Sequence, residues 1–562
     1  MKIRIVLLTF TVLSISIISS CNKKPSHADY IPKDASIVVG MHTDALIKKL
    51  AWEVIWNSKL MQEMKRKSGE KDPSKSVEEM GIKLMTTYYM YVKADKRYSS
   101  GNKVVALIPL DNKDKWEAYV KKNFPEAAIT KQKDRSEALL NEHMYAGWTG
   151  DMLIITNTIL PSMEDIYKQL QTLEDPQAYD SVYTTLMNQR KPDAALMALE
   201  MSKTFTKEKG NTVTVHESFN KVSSAGHDIS IWMNYETLMT NYGQAGMGNL
   251  ALVASMWKDA SATLGVDFED GKVVGNMHYY ASKEMKDVYK EFSNTSDKKM
   301  IENLPTDNLN MIMAANISPK GMRMMFDKTG MSGVMNAAFA QIGITADDVF
   351  GSFAGDMGIV INDFNAHPVT IPAGTYYPEQ EAFTKTETDA NMTFAMKIGK
   401  KESFDKVFAA VTKDMPLIAT ATGYIISTGK DSFYLSKEGD YLVISNNEAY
   451  ASGYAKGAYK GQKKPAAVND MHKYAGSMFV DINGFMKQMQ GNATEQKDKE
   501  MLALTSQLLQ DFEMRGGSKS NIFEYNFYLN FVNKKENSLL QLLNYSGKMM
   551  ELSEKEEKPL PL

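Results

Sequence analysis

Gly150-Asp151-Met152-Leu153-Ile154-Ile155-Thr156-Asn157 returns, 289 residues later, as Gly439-Asp440-Tyr441-Leu442-Val443-Ile444-Ser445-Asn446, identical at five of eight positions. Each copy starts with a Gly-Asp turn and continues as a short apolar run of strand length. Recurrence at a fixed distance marks an internal repeat, and the flanking residues fall into the same order. Residues 106–110 lead into a helical pattern through Trp116 and Tyr119. Residues 394–398, offset by 288, lead into one through Phe404 and Phe408. Further upstream, Tyr30-Ile31-Pro32-Lys33-Asp34-Ala35 precedes a strand at 36–41 and a helix from Thr43. Leu304-Pro305-Thr306-Asp307 precedes a strand at 309–315 and a helix from Ser318-Pro319, at an offset of 273. Downstream, the strand at 229–233 with Leu238 and Met239 matches 478–480 with Phe485 and Met486. Both copies close in ribbon-like stretches, 272–280 and 521–532.

The drift in offset locates the insertions. Between the first two anchor pairs it grows by 15 or 16, placing extra residues in the second copy at 365–391. That stretch is rich in Thr, Pro, Gly and acidic residues and reads as a loop without strand or helical period. The first copy has its own excess between Leu160 and Asp228, read as a helix at 163–173 and a polar loop at 203–227. Loops of such length in compact domains are functional or disordered. Strand pairs joined by short turns, with helical stretches such as 499–509, define an α+β fold. The expected architecture is two tandem copies of a mixed lobe, each with antiparallel meander sheets covered by helices on one face. The first lobe spans 30–300, the second 301–550, and a flexible tail follows at 551–562.

The N-terminus supplies an address. Lys2 and Arg4 precede an apolar run from Ile5, and Ile18-Ser19-Ser20-Cys21 ends it with small residues and the chain's single cysteine. Charge, apolar core and small-residue cleavage site make residues 1–20 a secretory signal peptide. The apolar run is short and serine-rich against the ~20 apolar residues a spanning helix needs. The cysteine after the small residues resembles a bacterial lipobox, which implies acylation of Cys21 as the mature N-terminus. Residues 21–29 are then a tether from lipid to first strand. Without a second cysteine no intrachain disulfide can form.

Removal of residues 1–20 leaves 63 basic against 68 acidic residues, a formal charge of −5. That balance offers no basic footprint for nucleic acid. The composition, 43% hydrophobic and 24% charged, is that of a chain able to bury a sizeable core.

Chemistry is sparse. The eight histidines (His27, His42, His143, His216, His227, His278, His367 and His472) include no pair three to five residues apart, so no helix presents a paired zinc site. There is no Gly-x-Ser-x-Gly elbow and no cysteine nucleophile in the mature chain. Gly243, Gly246 and Gly248 lack the order of a phosphate loop. Asp151 and Asp440 follow glycines between strands and read as turn residues, while Asp347-Asp348 reads as a helix start, where acids suit the dipole. Methionine is abundant, 39 of 562 residues. The group Met322, Met324 and Met325 reads as an amphipathic helix face that fills a core or an adaptable groove. No catalytic residue, metal or cofactor is assigned. Tyr376 and Tyr377, beside Pro378 in the second insertion, form a possible binding loop, because tyrosine offers an apolar face and a hydrogen-bonding tip.

The Tyr-Ile-Pro-Lys-Asp-Ala opening soon after a lipobox, with the two Gly-Asp-x-Leu-x-Ile-x-Asn hairpins, resembles the large lipoproteins of Bacteroidetes-type envelopes that carry a duplicated domain of unknown function. The resemblance covers residues 29–545 and implies a lipid-anchored, duplicated α+β protein. It carries over no catalytic residue. Asn22-Lys23-Lys24 lacks the acidic residues that resemble a surface-export signal, so the expected location is the outer membrane, facing the periplasm. The functional reading is a non-enzymatic binding or scaffolding role with an envelope protein partner. Alternatives are a periplasmic carrier of an apolar ligand and a hydrolase with a dispersed acid/base site.

Overall fold

The computed structural model describes residues 27–68, 78–94, 102–159, 163–171, 173, 178–189, 194–206, 210–242, 254–375, 377, 379–413, 415–420, 423–427, 432–493, 495–519 and 522–554. Cys21, Tyr376, Gly243, Gly246 and Gly248 lie outside them. The chain is a mixed α+β protein with extensive antiparallel sheet, and it divides into two compact units.

The first unit holds the described residues of 1–48, 72–245 and 261–265. Its strands are β1 (Ile37–His42), β2 (Thr87–Ala94), β3 (Asn102–Pro109), β4 (Thr130–Lys131), β5 (Ser136–Leu139), β6 (Met144–Trp148), β7 (Met152–Ile159) and β8 (Ile229–Asn234). They pair antiparallel in the order β8–β1–β2–β3–β7–β6–β5–β4. The run Met152-Leu153-Ile154 explains the layering. Met152 and Ile154 join a core with Tyr89, Leu107, Phe219 and Trp232, whereas Leu153 joins a separate core with Trp116, Val120 and Trp148. The sheet is therefore covered on both sides here, not on one. A strand buried on both faces reads as a continuous apolar run, as this one does.

The stretch 203–227 is not a polar loop. Helix Ala194–Thr206 buries Met197 and Met201, and helix Glu217–Ser224 buries Phe219 and Val222. Phe219 and Val222 stand three residues apart, one helical face, and serines fill the rest. Ser218 pairs inward: Trp232 Nε1 donates to its Oγ at 2.9 Å, and its hydroxyl meets that of Ser261 at 2.8 Å.

The second unit holds the described residues of 49–71, 246–260 and 266–562. After β9 (Ser261–Glu269), its strands are β10 (Lys272–Tyr280), β11 (Leu309–Asn316), β12 (Phe353–Ile371), β13 (Phe383–Ile398), β14 (Leu417–Thr420), β15 (Gly423–Ser427), β16 (Ser432–Glu438), β17 (Tyr441–Ser445), β18 (Gly476–Val480), β19 (Leu509–Lys519) and β20 (Ile522–Phe531). Antiparallel pairing runs β10–β20–β19–β18–β11–β12–β13–β17–β16–β15–β14. In β17, Tyr441 and Val443 face a core with Met300, Tyr454 and Val468, while Leu442 and Ile444 pack on Phe404 and Phe408. Gly439, at φ +55, makes the turn into β17. Asp348 closes a capping box with Thr345 at the start of helix Ala346–Ser352.

Helix Lys59–Ser68 belongs to this unit despite its early place in sequence. It packs along the C-terminal helix Ser538–Glu554, whose Asn544 Oδ1 accepts the Lys59 backbone N–H at 2.9 Å. That helix runs four residues into the stretch read as a tail, with Leu552 buried and Glu551 and Glu554 paired to Lys59, Arg66 and Lys67.

Candidate functional site

The second insertion is a β-ribbon. β12 leaves β11 after Asn362, and β13 joins β17 only from Thr393. Between these limits the two strands pair with each other from Asn365↔Asp389 to Ile371↔Phe383. These seven rungs extend ~23 Å at ~3.3 Å each. The expectation of a loop at 365–391 is thus corrected. Val369, Thr370, Ile371, Thr384 and Thr388 are β-branched and favour extended backbone. Most of the arm's described side chains are exposed or half-buried, so it carries no in-out alternation for a periodicity argument to detect.

The base of the arm is a fixed joint. Asp363 has φ +52 and sits where the β12–β13 register shifts between Asn362 and Asn365; its neighbour across the joint, Asn308, has φ +48. Asn and Asp tolerate the left-handed region better than other side chains, and local hydrogen bonds hold them there. Asp363 Oδ1 accepts from Asn308 Nδ2 at 2.7 Å, and Oδ2 accepts from Asn391 Nδ2 at 2.8 Å and the Tyr450 hydroxyl at 2.5 Å. Asn310 Oδ1 accepts the Phe364 N–H at 2.9 Å, and the Phe364 ring meets Phe485 edge-on at 4.7 Å. A two-stranded ribbon is marginal alone in water, so this joint gives the arm its direction.

Partial burial pushes the Asp363 carboxyl up, but hydrogen bonds from Tyr450, Asn308 and Asn391 together outweigh it and hold the group below the usual carboxylate range. A depressed folded pKa contributes stability above the unfolded value of ~3.9 and loses it as pH falls through the folded one. Asp363→Ala is expected to speed amide exchange along the arm severalfold at pH 7 while leaving the first unit unchanged. The wild-type arm loses its protection only on acidification below ~4. Equal exchange in both proteins at neutral pH would refute the joint.

The tip presents aromatics. The Gly374 N–H donates to the Gln380 carbonyl at 2.9 Å, and the Gln380 N–H to the Tyr377 carbonyl at 3.0 Å. Tyr377 is 73% exposed and Phe383, at the last rung, 43%. Of the two tyrosines singled out from the sequence, Tyr377 is thus in solvent, and Tyr376 lies outside the described residues. The joint residues Asp363, Asn308, Asn391 and Tyr450 were not singled out from sequence; the doublets Asp307-Asn308 and Asn362-Asp363 were the available signal.

No group of three or more His, Cys, Asp or Glu side chains suited to a metal ion occurs among the described residues. In the first unit, His42 is buried with Nδ1 3.0 Å from Thr87 Oγ1 and Nε2 3.1 Å from Ser230 Oγ. The serine–histidine contact resembles half of a hydrolytic pair, but the second ring nitrogen meets a hydroxyl where an orienting carboxylate would stand. Burial lowers the His42 pKa, with His227 adding to it and Asp44 and Asp228 opposing. The neutral ring thus supports the fold above ~6.5, and that support is lost as pH falls through the lowered value. The first unit is expected to weaken over this acidic window, and His42→Gln to flatten the dependence; an unchanged pH–stability slope in the variant would exclude His42 as its source.

An open cleft of about 460 Å³ in the first unit is lined by Glu78, Glu79, Lys115, Ala118, Tyr119 and Lys122. Lys122 and Glu79 of this lining pair at 3.1 Å.

No family model matches the chain, and no characterised protein matches it in sequence. Among solved structures, crystal forms III and IV of TP0453 align at 10% identity over 46% and 44% of this chain and 80% of theirs. Their TM-scores are 0.21 and 0.20, too low to define a shared fold.

Proposed function

We propose that this chain is a lipid-anchored envelope protein with a non-enzymatic binding or scaffolding role, and that the arm of β12 and β13 is its recognition element. The observation that carries the reading is the arm itself: a ribbon braced at Asp363 that holds Tyr377 and Phe383 in solvent. Exposed aromatics on a pre-organised support lose little entropy on binding and suit a protein partner. The anchor at Cys21 and the outer-membrane, periplasm-facing location belong to the same proposal, as does membership of the Bacteroidetes-type lipoprotein group. So does duplication of a lobe across 30–300 and 301–550. In its support, the pairing order β8–β1–β2–β3–β7–β6–β5–β4 corresponds strand for strand to β18–β11–β12–β13–β17–β16–β15–β14.

The test is native mass spectrometry of the full-length lipoprotein, extracted in mild detergent from its own membranes, beside a variant in which 366–388 is replaced by a two-residue turn. A stoichiometric polypeptide partner, lost in the shortened variant, is the expected result. A bound lipid or small molecule with no polypeptide would replace this reading with the carrier. A partner retained by the shortened variant would remove the arm from the argument.

A further inference from the structure

We infer that the second unit contains a two-fold dimer interface folded into one chain. The closing strand of each repeat, with the helices around it, forms a surface whose partner is the other repeat. The inference rests on the proposed duplication, and on neither the arm nor what the arm binds. All the residues of this interface lie in the second unit.

The seam is the pairing of β10 with β20. Nine antiparallel pairs run from Lys272↔Asn530 to Tyr280↔Ile522, with Asn276↔Asn526 in the middle. These strands close the two repeats, and an offset of 250 aligns them: Asn276 falls on Asn526, Met277 on Phe527 and His278 on Tyr528. The same offset carries the bounds of β9, 261–269, onto 511–519 within β19. The middle pair is therefore one position facing its own equivalent. That is the mark of an isologous contact, in which both sides present the same surface.

The contacts flanking the seam are reciprocal. Helix Lys59–Ser68, early in the first repeat, packs along Ser538–Glu554, which closes the second. Helix Pro319–Lys328, early in the second repeat, packs on the helical stretch 283–293 that closes the first. Each crossing is a close approach at a glycine: Gly547 against Lys59 and Leu60, and Gly321 against Glu291 and Phe292. Each also carries an ion pair of the same sense, from a lysine of the early helix to a glutamate of the closing one. Lys59 meets Glu551 at 3.2 Å, and Lys320 meets Glu291 at 2.9 Å. Beside the seam, Tyr279 and Tyr289 of the first repeat both meet the Phe523 ring of the second, at 6.2 and 5.1 Å. The Ser518 hydroxyl donates to the Tyr289 carbonyl at 2.9 Å.

These features select another repeat as the mate. Apart, β10 and β20 would be unpaired edges of nine and ten residues bearing Tyr279, Tyr280, Phe523 and Phe527. Natural proteins cover edges of that kind. A lone strand would satisfy the backbone and leave the helix faces at Gly321 and Gly547 open, whereas a second repeat covers strand and helices together.

The experiment inserts a protease site between Asn294 and Thr295, both exposed, in the full-length mature protein and cuts it in the folded state. Fragments 21–294 and 295–562 are expected to stay in one species at micromolar concentration and to part only in urea. Gly321→Val and Gly547→Val, one on each repeat, should each raise the free fraction after cutting at least about tenfold, the lower range of an overpacking cost. Paired cysteines give a readout independent of stability. Oxidation of Asn276→Cys with Asn526→Cys is expected to join the cut fragments, and Asn276→Cys with Ile522→Cys, four positions out of register, is not. Wild-type fragments that part without denaturant, or cysteines at 276 and 526 that fail to join them, would overturn the inference. Loosening by only one of the two glycine variants would overturn it too, because a reciprocal interface weakens from either side.

Discussion

Gly547→Val separates helix Lys59–Ser68 from helix Ser538–Glu554 and lowers the stability of the second unit by about 3 kcal/mol, the upper range of overpacking costs. Gly547 is buried where the helices cross, and a Cβ there would overlap the backbone of Lys59 and Leu60. Backbone cannot swing aside as a side chain can, so the whole helix must move. Movement also withdraws Asn544, which accepts the Lys59 N–H from one turn earlier on the same helix. Helix starts leave such donors without intrahelical partners, and losing a cap costs ~1 kcal/mol. The ion pairs of Lys59, Arg66 and Lys67 with Glu551 and Glu554 would go too, but these are largely exposed and each adds little. Valine also gives back part of glycine's helix penalty, up to several tenths of a kcal/mol, which trims the net loss by that much. Urea unfolding of both proteins, with Asn544→Ala as the smaller companion change, measures the effect. A midpoint for Gly547→Val equal to wild type would show that the helices separate without consequence.

The crossing also separates what local sequence encodes from what only a distant partner explains. The β7 and β17 phrases located matching strands because a buried strand must be apolar along its length, whatever packs on it. The helices after Asn112 and Lys400 are visible for a similar reason: Trp116 and Tyr119, and Phe404 and Phe408, stand at helical spacing. Position 547 was not visible. A glycine in a helix costs ~1 kcal/mol relative to alanine, and only the partner helix, nearly 500 residues away in sequence, explains its presence. The arm failed for the opposite reason. Periodicity registers one buried face against one wet face, and a ribbon with little burial on either side produces no such signal. Its joint was hidden because Asp363 and Asn308 act through a left-handed backbone conformation, which composition does not encode. The helix at 217–224 was missed because serines line part of its buried side, and a hydroxyl that pairs internally looks polar in sequence.

Cys21→Ala carries the largest expected effect on behaviour: the protein leaves the membrane fraction and appears with soluble envelope proteins. The variant needs a cleavable, non-lipoprotein signal in place of residues 1–20, so that an unprocessed leader does not act as an anchor itself. Acyl chains attached at Cys21 would each bury their methylenes at ~0.8 kcal/mol apiece. One chain gives marginal binding and two or more give stable anchoring, so the attachment is close to all-or-none. The mature chain offers little electrostatic substitute. At −5 overall, with basic residues in the tether limited to Lys23 and Lys24, it lacks the cluster of four to eight basic residues that holds a protein on an anionic leaflet. Among the described residues no helix is long and apolar enough to cross a membrane. Fractionation with an alkaline wash, beside the intact mass of the wild-type N-terminal peptide, checks the prediction. A variant that stays with the membrane after the wash, or a wild-type peptide without acyl mass, would remove the anchor from this account.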